Sequence, residues 1–197
     1  MTQAPALSQP QDRSRATLSA VLVIGVTLVA LCLGWLVMNS VITRTVPINQ
    51  SNVSANAPAG WMINYGLQGE EMVFTTADQL DQNHRYIVAL MPGIPGGSVT
   101  DVFTNRTLNQ GQNFSDYQVI DQSPAQVNGV EGFRVEYAYI KTGAYGMMPK
   151  VVRGVDYYVP KGEKVLVITM EDESENFNRS LDSFFNFLGS VRYSVGG

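Results

Sequence analysis

From Ala16 to Met38 the chain carries no formally charged residue, and this run constrains its structure more than any other feature. Coiled as a helix, the run would extend roughly 34 Å, against about 30 Å of hydrocarbon in a bilayer. It reads as a single transmembrane helix that stays in the mature protein. A cleaved secretory signal has a shorter apolar core of about 7–15 residues with a small-residue site close behind it. Here the small-x-small triplet Ala55-Asn56-Ala57 lies far beyond Met38. Leu31 stands before Cys32 where a lipidated cysteine needs a small residue, so Cys32 reads as apolar filler. Ala16, Ala20, Gly25, Ala30, Gly34, Trp35 and Met38 are the positions through which such a helix would meet lipid or partner helices.

Arg13 and Arg15 lie just before the run and Arg44 stands alone after it, which places the amino-terminal tail on the cytoplasmic side and the rest in the periplasm or another extracytoplasmic space. Four segments are expected: a polar tail over 1–15, the membrane helix over 16–38, an Asn-, Ser- and Ala-rich tether over 39–59, and a folded domain over 60–197, entered through Pro58-Ala59-Gly60. The last segment has the size of one domain with a sizeable core.

Asp12, Arg13 and Arg15 are the only charged side chains before Asn39, so the remainder is one unit more acidic than the whole chain, whose net charge is -4. An acidic surface without a dense basic patch excludes nucleic acid as a partner. The sole cysteine lies in the apolar run, so no disulfide is expected in the domain.

Strand-like stretches begin at Trp61, Glu71 and Arg85. Tyr86, Val88 and Leu90 fall on one side of the third by period-two spacing. Pro92, Gly93, Pro95, Gly96 and Gly97 make a loop, after which Ser98 and Asp101 resemble a capping box opening a helix with Val99, Val102 and Phe103 on its inner stripe. A short strand over Tyr117–Ile120 follows. Val127-Asn128-Gly129-Val130 is the strongest turn signal, and Phe133, Val135, Tyr137 and Tyr139 alternate beyond it. Val151–Val159 and Lys164–Ile168 are joined by a connection short enough for an antiparallel hairpin. A final helix, capped by Ser174 and stopped at Gly189, repeats Phe177, Leu181, Phe184, Phe185 and Leu188 on one face. Many strands with few obligatory crossovers give an α+β domain, a mainly antiparallel sheet with packed helices.

The search for chemistry is restrictive. With one histidine and one cysteine, no Ser-His-Asp group follows from spacing, and zinc, haem and iron–sulfur patterns are absent, so no cofactor and no metal is assigned. His84 reads as a residue at the start of a strand. The glycines at 93, 96 and 97 lack the lysine and hydroxyl of a phosphate loop. The acidic run Glu171, Asp172 and Glu173 fits the positive end of the following helix, or a salt-sensitive contact with a basic partner. Gly143 to Met148 joins glycine with Tyr145, Met147 and Met148; exposed, these side chains would enter a partner groove or a membrane surface, and folded inward they would cap the core.

Pro58-Ala59-Gly60-Trp61, Val127 to Phe133, the Tyr157-Tyr158-Val159 hairpin and the closing Ser183-Phe184 helix together resemble the PsbP-like superfamily over roughly Pro58 to Val191. That resemblance implies a central antiparallel sheet with helices packed on it and a role as an extrinsic or accessory protein of a photosynthetic membrane. Unlike the plant photosystem proteins, this chain carries a membrane span. The expected function is a non-catalytic accessory subunit that stabilises or organises a larger membrane complex of photosynthetic or respiratory electron transfer, in a plasma or photosynthetic membrane, with the bilayer and other subunits as partners. The rival class is a freestanding anchored domain that binds a small apolar ligand or a soluble protein through Tyr137, Tyr139, Tyr145, Met147 and Met148.

Overall fold

The computed structural model describes residues 11–42, 44–67, 71–94, 97–142 and 148–194. The chain forms two compact units, one ending at Arg44 and one beginning at Thr45. The first is a helix, α1 (Gln11–Ile42), longer than the uncharged run at both ends. Within it Ser19–Met38 is long and apolar enough to cross a bilayer, and none of it is buried. Its large apolar side chains face outward all round rather than along one stripe, as in a helix solvated by lipid. Thr27 satisfies its hydroxyl internally by donating to the Val23 carbonyl at 2.8 Å.

The second unit opens with β1 (Thr45–Gln50) and β2 (Val53–Pro58), an antiparallel hairpin. The tether expected over 39–59 is therefore corrected, since α1 runs on to Ile42 and the hairpin starts at Thr45. Ser51 and Asn52 both adopt positive φ, the conformation that lets a two-residue turn match strand twist. Ile48, Val53, Ala55 and Ala57 are buried in the core, which small side chains permit because the hairpin lies close to the final helix.

The order continues β3 (Met62–Tyr65), β4 (Met72–Ala77), β5 (Arg85–Pro92), α2 (Val99–Asn113), β6 (Ser115–Val127), β7 (Val130–Lys141), β8 (Lys150–Lys161), β9 (Lys164–Glu173), α3 (Phe177–Ser190) and β10 (Arg192–Tyr193). Seven strands form one sheet in the order β3-β4-β5-β9-β8-β7-β6, and β1-β2-β10 form a smaller one. Every pairing is antiparallel, as expected for the α+β class. The Asn128-Gly129 and Gly162-Glu163 turns fall where the sequence places them. β6 is much longer than the strand expected over Tyr117–Ile120; at the sheet edge it carries Pro124 and two register shifts, devices that discourage further pairing.

One face of the large sheet presents Tyr86, Val88, Tyr157, Ile168 and Met170 to α3 and the β1–β2 hairpin. The buried rings of Phe177, Phe184 and Phe187 on α3 each contribute about 1.5–3 kcal/mol through burial alone. The expected Phe185 is 48% exposed and Phe187 takes its place at 2%. The two lie roughly 80° to either side of the stripe centre; the stripe widens toward Phe187 because Tyr86 and Phe74 meet its ring at 4.7 and 6.4 Å. Asn176, not Ser174, is the N-cap of α3; the Ser174 N–H donates to the Val151 carbonyl. On the opposite face α2 lays Val102 and Phe103 over Val135, Tyr158, Val165 and Val167. Asp101 closes the first turn of α2 by accepting the Ser98 N–H at 2.6 Å.

Candidate functional site

On α1, Ala20, Gly25, Ala30, Gly34, Trp35 and Met38 are all exposed, and Ala16 lies in the helix with its side chain outside the described residues. Ala30, Gly34 and Met38, four apart, share a face, whereas Gly25 lies on the side opposite Gly34. A β-carbon at Gly25 or Gly34 would meet nothing within 4 Å. The small residues do not make one continuous stripe, but Ala30 and Gly34 leave a flat place where another helix can approach.

The polar residues nominated as partner contacts are placed differently. Tyr137, Tyr139, Glu171 and Asp172 are all buried, with Tyr137 fully enclosed and Glu171 only 3% exposed. The acidic run lies inside β9 rather than after it, so period-two alternation sends Glu171 and Glu173 to the α2 face and Asp172 to the α3 face. Glu171 accepts from Arg85 Nε at 2.7 Å, from the Tyr137 hydroxyl at 3.0 Å and from the Tyr139 hydroxyl at 3.2 Å. Asp172 accepts from Ser180 Oγ of α3 at 2.5 Å and from the Glu173 N–H at 2.6 Å. Glu173 is half-buried and joined to Lys150 and Asn83. Met148 is 86% exposed; Tyr145 and Met147 lie outside the described residues.

A second buried carboxylate, Asp156, was not legible as a site residue. Arg106 reaches it from α2 at 3.0 Å, and the hydroxyls of Thr169 and Tyr158 donate to it at 2.6 and 2.8 Å. Tyr137 lies between Asp156 and Glu171, so one network crosses β5, β9, β8 and β7 beneath α2. Its electrostatics keep phenols neutral and guanidinium groups charged. Burial pushes the Tyr137 phenol well up, and Asp156 and Glu171 push it further. Tyr139 and Tyr158 are raised by burial first and then by their carboxylates. Burial is the largest single influence on Arg106 and opposes its charge, but Asp156, Tyr158 and Tyr137 together outweigh it and raise the guanidinium above its ordinary value.

Gly154 stands opposite Tyr137 in the register, and a β-carbon there would lie 2.3 Å from the ring. The missing side chain makes the room in which Tyr137 lies flat over β8. With each carboxylate held by a cation and hydroxyls, the network is a satisfied latch between α2 and the sheet.

On the other face His84 packs edge-on to Trp61 at 4.6 Å, with Nε2 4.0 Å from Asp172 Oδ2. Ser180 donates to Asp172 and not to the imidazole, so these three residues do not form a nucleophile–base pair. Among the described residues no group of three or more His, Cys, Asp or Glu side chains is placed to hold a metal ion.

Comparison with protein-family models and with curated protein sequences gives no match. Solved structures do match. The solution structure of cyanobacterial PsbP (CyanoP) from Synechocystis sp. PCC 6803 aligns with a TM-score of 0.59 at 12% identity, over 78% of this chain and 94% of that one. The second unit has the PsbP-like fold. The Saccharomyces cerevisiae Ran-binding protein Mog1p shares it, with a TM-score of 0.51 at 10% identity over 76% of this chain and 95% of that one. At these identities the likeness is one of fold. The shares of this chain that align are close to the share its second unit makes up, from Thr45 to Gly197.

Proposed function

We propose that this chain is a non-catalytic accessory subunit of an integral membrane complex. α1 anchors it, and its PsbP-like domain stabilises or organises the complex on the extracytoplasmic side. The observation that carries the reading is the helix Ser19–Met38, apolar on all sides and unburied, on the same chain as a folded PsbP-like domain. Arg13 and Arg15 before the span, against Arg44 alone after it, support a cytoplasmic side for the tail. The similarity to CyanoP supports a photosynthetic membrane and its electron-transfer machinery as the setting.

The test is extraction from native membranes in a mild detergent, followed by native electrophoresis and identification of what comigrates. The expected result is stoichiometric recovery with other membrane subunits, reduced when Ala30 and Gly34 are both replaced by Leu while membrane insertion is retained. Recovery of the intact chain alone, or of a mature polypeptide without α1 released by gentle cell opening, refutes the proposal.

A further inference from the structure

The large sheet ends in two edges, β6 and β3, and they are built differently. β6 carries Asp116, Asp121, Pro124 and two register shifts, each a device against pairing with another chain. β3 has none of these, and its only guard is that it is short. Between Arg44 and Glu70 no residue is charged, the longest such stretch after the run in α1. Within it Met62 is 42% exposed and Tyr65 52%.

The Gly66 N–H donates to the Val73 carbonyl at 2.9 Å, and the same register sets Tyr65 against Phe74 and Ile63 against Thr76. Antiparallel hydrogen bonding alternates along a strand, so Asn64 also bonds toward β4 while Ile63 and Tyr65 turn their N–H and C=O groups outward. Among the described residues no strand lies on that side. The spacing of the outward residues lets a copy of β3 pair with it about a two-fold axis that passes through Asn64 perpendicular to the sheet. Ile63 of each copy then faces Tyr65 of the other, every outward donor meets an acceptor, and both side chains stay on the same face.

We infer that β3 pairs antiparallel with β3 of a second copy of this chain, joining the two large sheets edge to edge. Charge selects the same edge. The domain is net acidic, so two copies repel, and they do so least where neither presents an ionised side chain. Stable interfaces bury about 1,200–2,000 Å², far more than two such short strands, so the pairing is weak and draws on the concentration that a shared bilayer gives. The inference uses the anchoring by α1 and needs no larger complex.

The test is disulfide formation in vesicles of zwitterionic lipid that hold only the full chain, recovered by flotation and oxidised with copper phenanthroline. Cys32 is replaced by Ser throughout, since it is exposed on α1. Asn64→Cys places a thiol at the axis, where the α-carbons of a non-hydrogen-bonded pair lie about 4.5 Å apart, within disulfide reach. Met62→Cys is the register control, because Met62 would face Gly66 and its own counterpart would lie about 13 Å along the strand. Gln122→Cys is the control for the guarded edge β6. The expected result is at least about tenfold more cross-linked dimer from Asn64→Cys than from either control. Added to Asn64→Cys, Tyr65→Lys should lower the yield at least about tenfold, whereas Tyr65→Phe should retain it. Equal yields from all three positions would mean random collision and would overturn the inference. So would no cross-link from Asn64→Cys, a higher yield from Met62→Cys, or a yield that Tyr65→Lys leaves unchanged.

Discussion

Replacing Arg106 with Met tests whether the network beneath α2 stabilises the domain as its geometry requires. The substitution keeps most of the stem that packs under α2 and removes the guanidinium that meets Asp156 at 3.0 Å and Thr169 at 3.4 Å. Asp156 is 1% exposed, so water cannot replace the lost cation without opening the sheet. Breaking a buried pair from one side costs about 3–5 kcal/mol. Thr169 and Tyr158 still donate to the carboxylate, which puts the expected loss near the lower end, about 3 kcal/mol. For a unit of this size each kcal/mol moves the melting midpoint by about 2–4 °C, so the midpoint should fall by roughly 6–12 °C. The assay is thermal unfolding of the full chain in detergent, followed by Trp61 fluorescence with Trp35 replaced by Phe. Adding Asp156→Asn to Arg106→Met removes the stranded charge and should restore at least about half of the loss. A loss below about 1 kcal/mol, the level of an exposed ion pair, or no recovery in the double variant, would refute this account.

Three further outcomes follow from the same geometry. Gly154→Ala should lower the urea midpoint by the equivalent of about 1–3 kcal/mol, because the new methyl must displace the Tyr137 ring from β8; an unchanged midpoint would show that the ring has room to spare. Burial raises Tyr86 and Tyr117 to about 12, and Tyr137, Tyr139 and Tyr158 are also raised. Their contribution to stability is therefore complete below their ordinary value of 10.0 and is lost as pH rises beyond it, so their phenolate absorbance should appear only with unfolding. Burial alone would raise Glu136, but hydrogen bonds from Arg153 and Arg134 win and hold it below its ordinary value of 4.5. Its contribution is present above that value and fades as pH falls below it, and Glu136→Gln should flatten this acid limb of a melting-temperature profile.

Local signals found the elements whose causes are local. The Asn128-Gly129 turn is readable because both residues must adopt positive φ, and they do. The helix opened by Ser98 and Asp101 is readable for the same reason, since a cap lies within one turn of its partner. The β1–β2 hairpin is harder to read. Its buried face is carried by alanines as well as Ile48 and Val53, and an Asn-, Ser- and Ala-rich stretch looks like a linker until the period-two spacing of Val53, Ala55 and Ala57 is weighed against it. The acidic run misled in another way. Three carboxylates in a row suggest solvent, and the Arg85, Tyr137 and Tyr139 that accommodate Glu171 come from β5 and β7, far off in the chain, while Ser180 reaches Asp172 from the helix that follows. Asp156 gave no signal, because only the register that sets β8 against β9 and places α2 above them reveals its partners.

The first hairpin changes where the chain can be cut. A soluble form begun at Pro58 would discard two strands and pull Ile48, Val53, Ala55 and Ala57 out of the interior, leaving the inner side of α3 wet and β10 without its neighbour. Protease treatment of the folded protein should spare the stretch from Thr45 to Pro58 for as long as the domain itself survives.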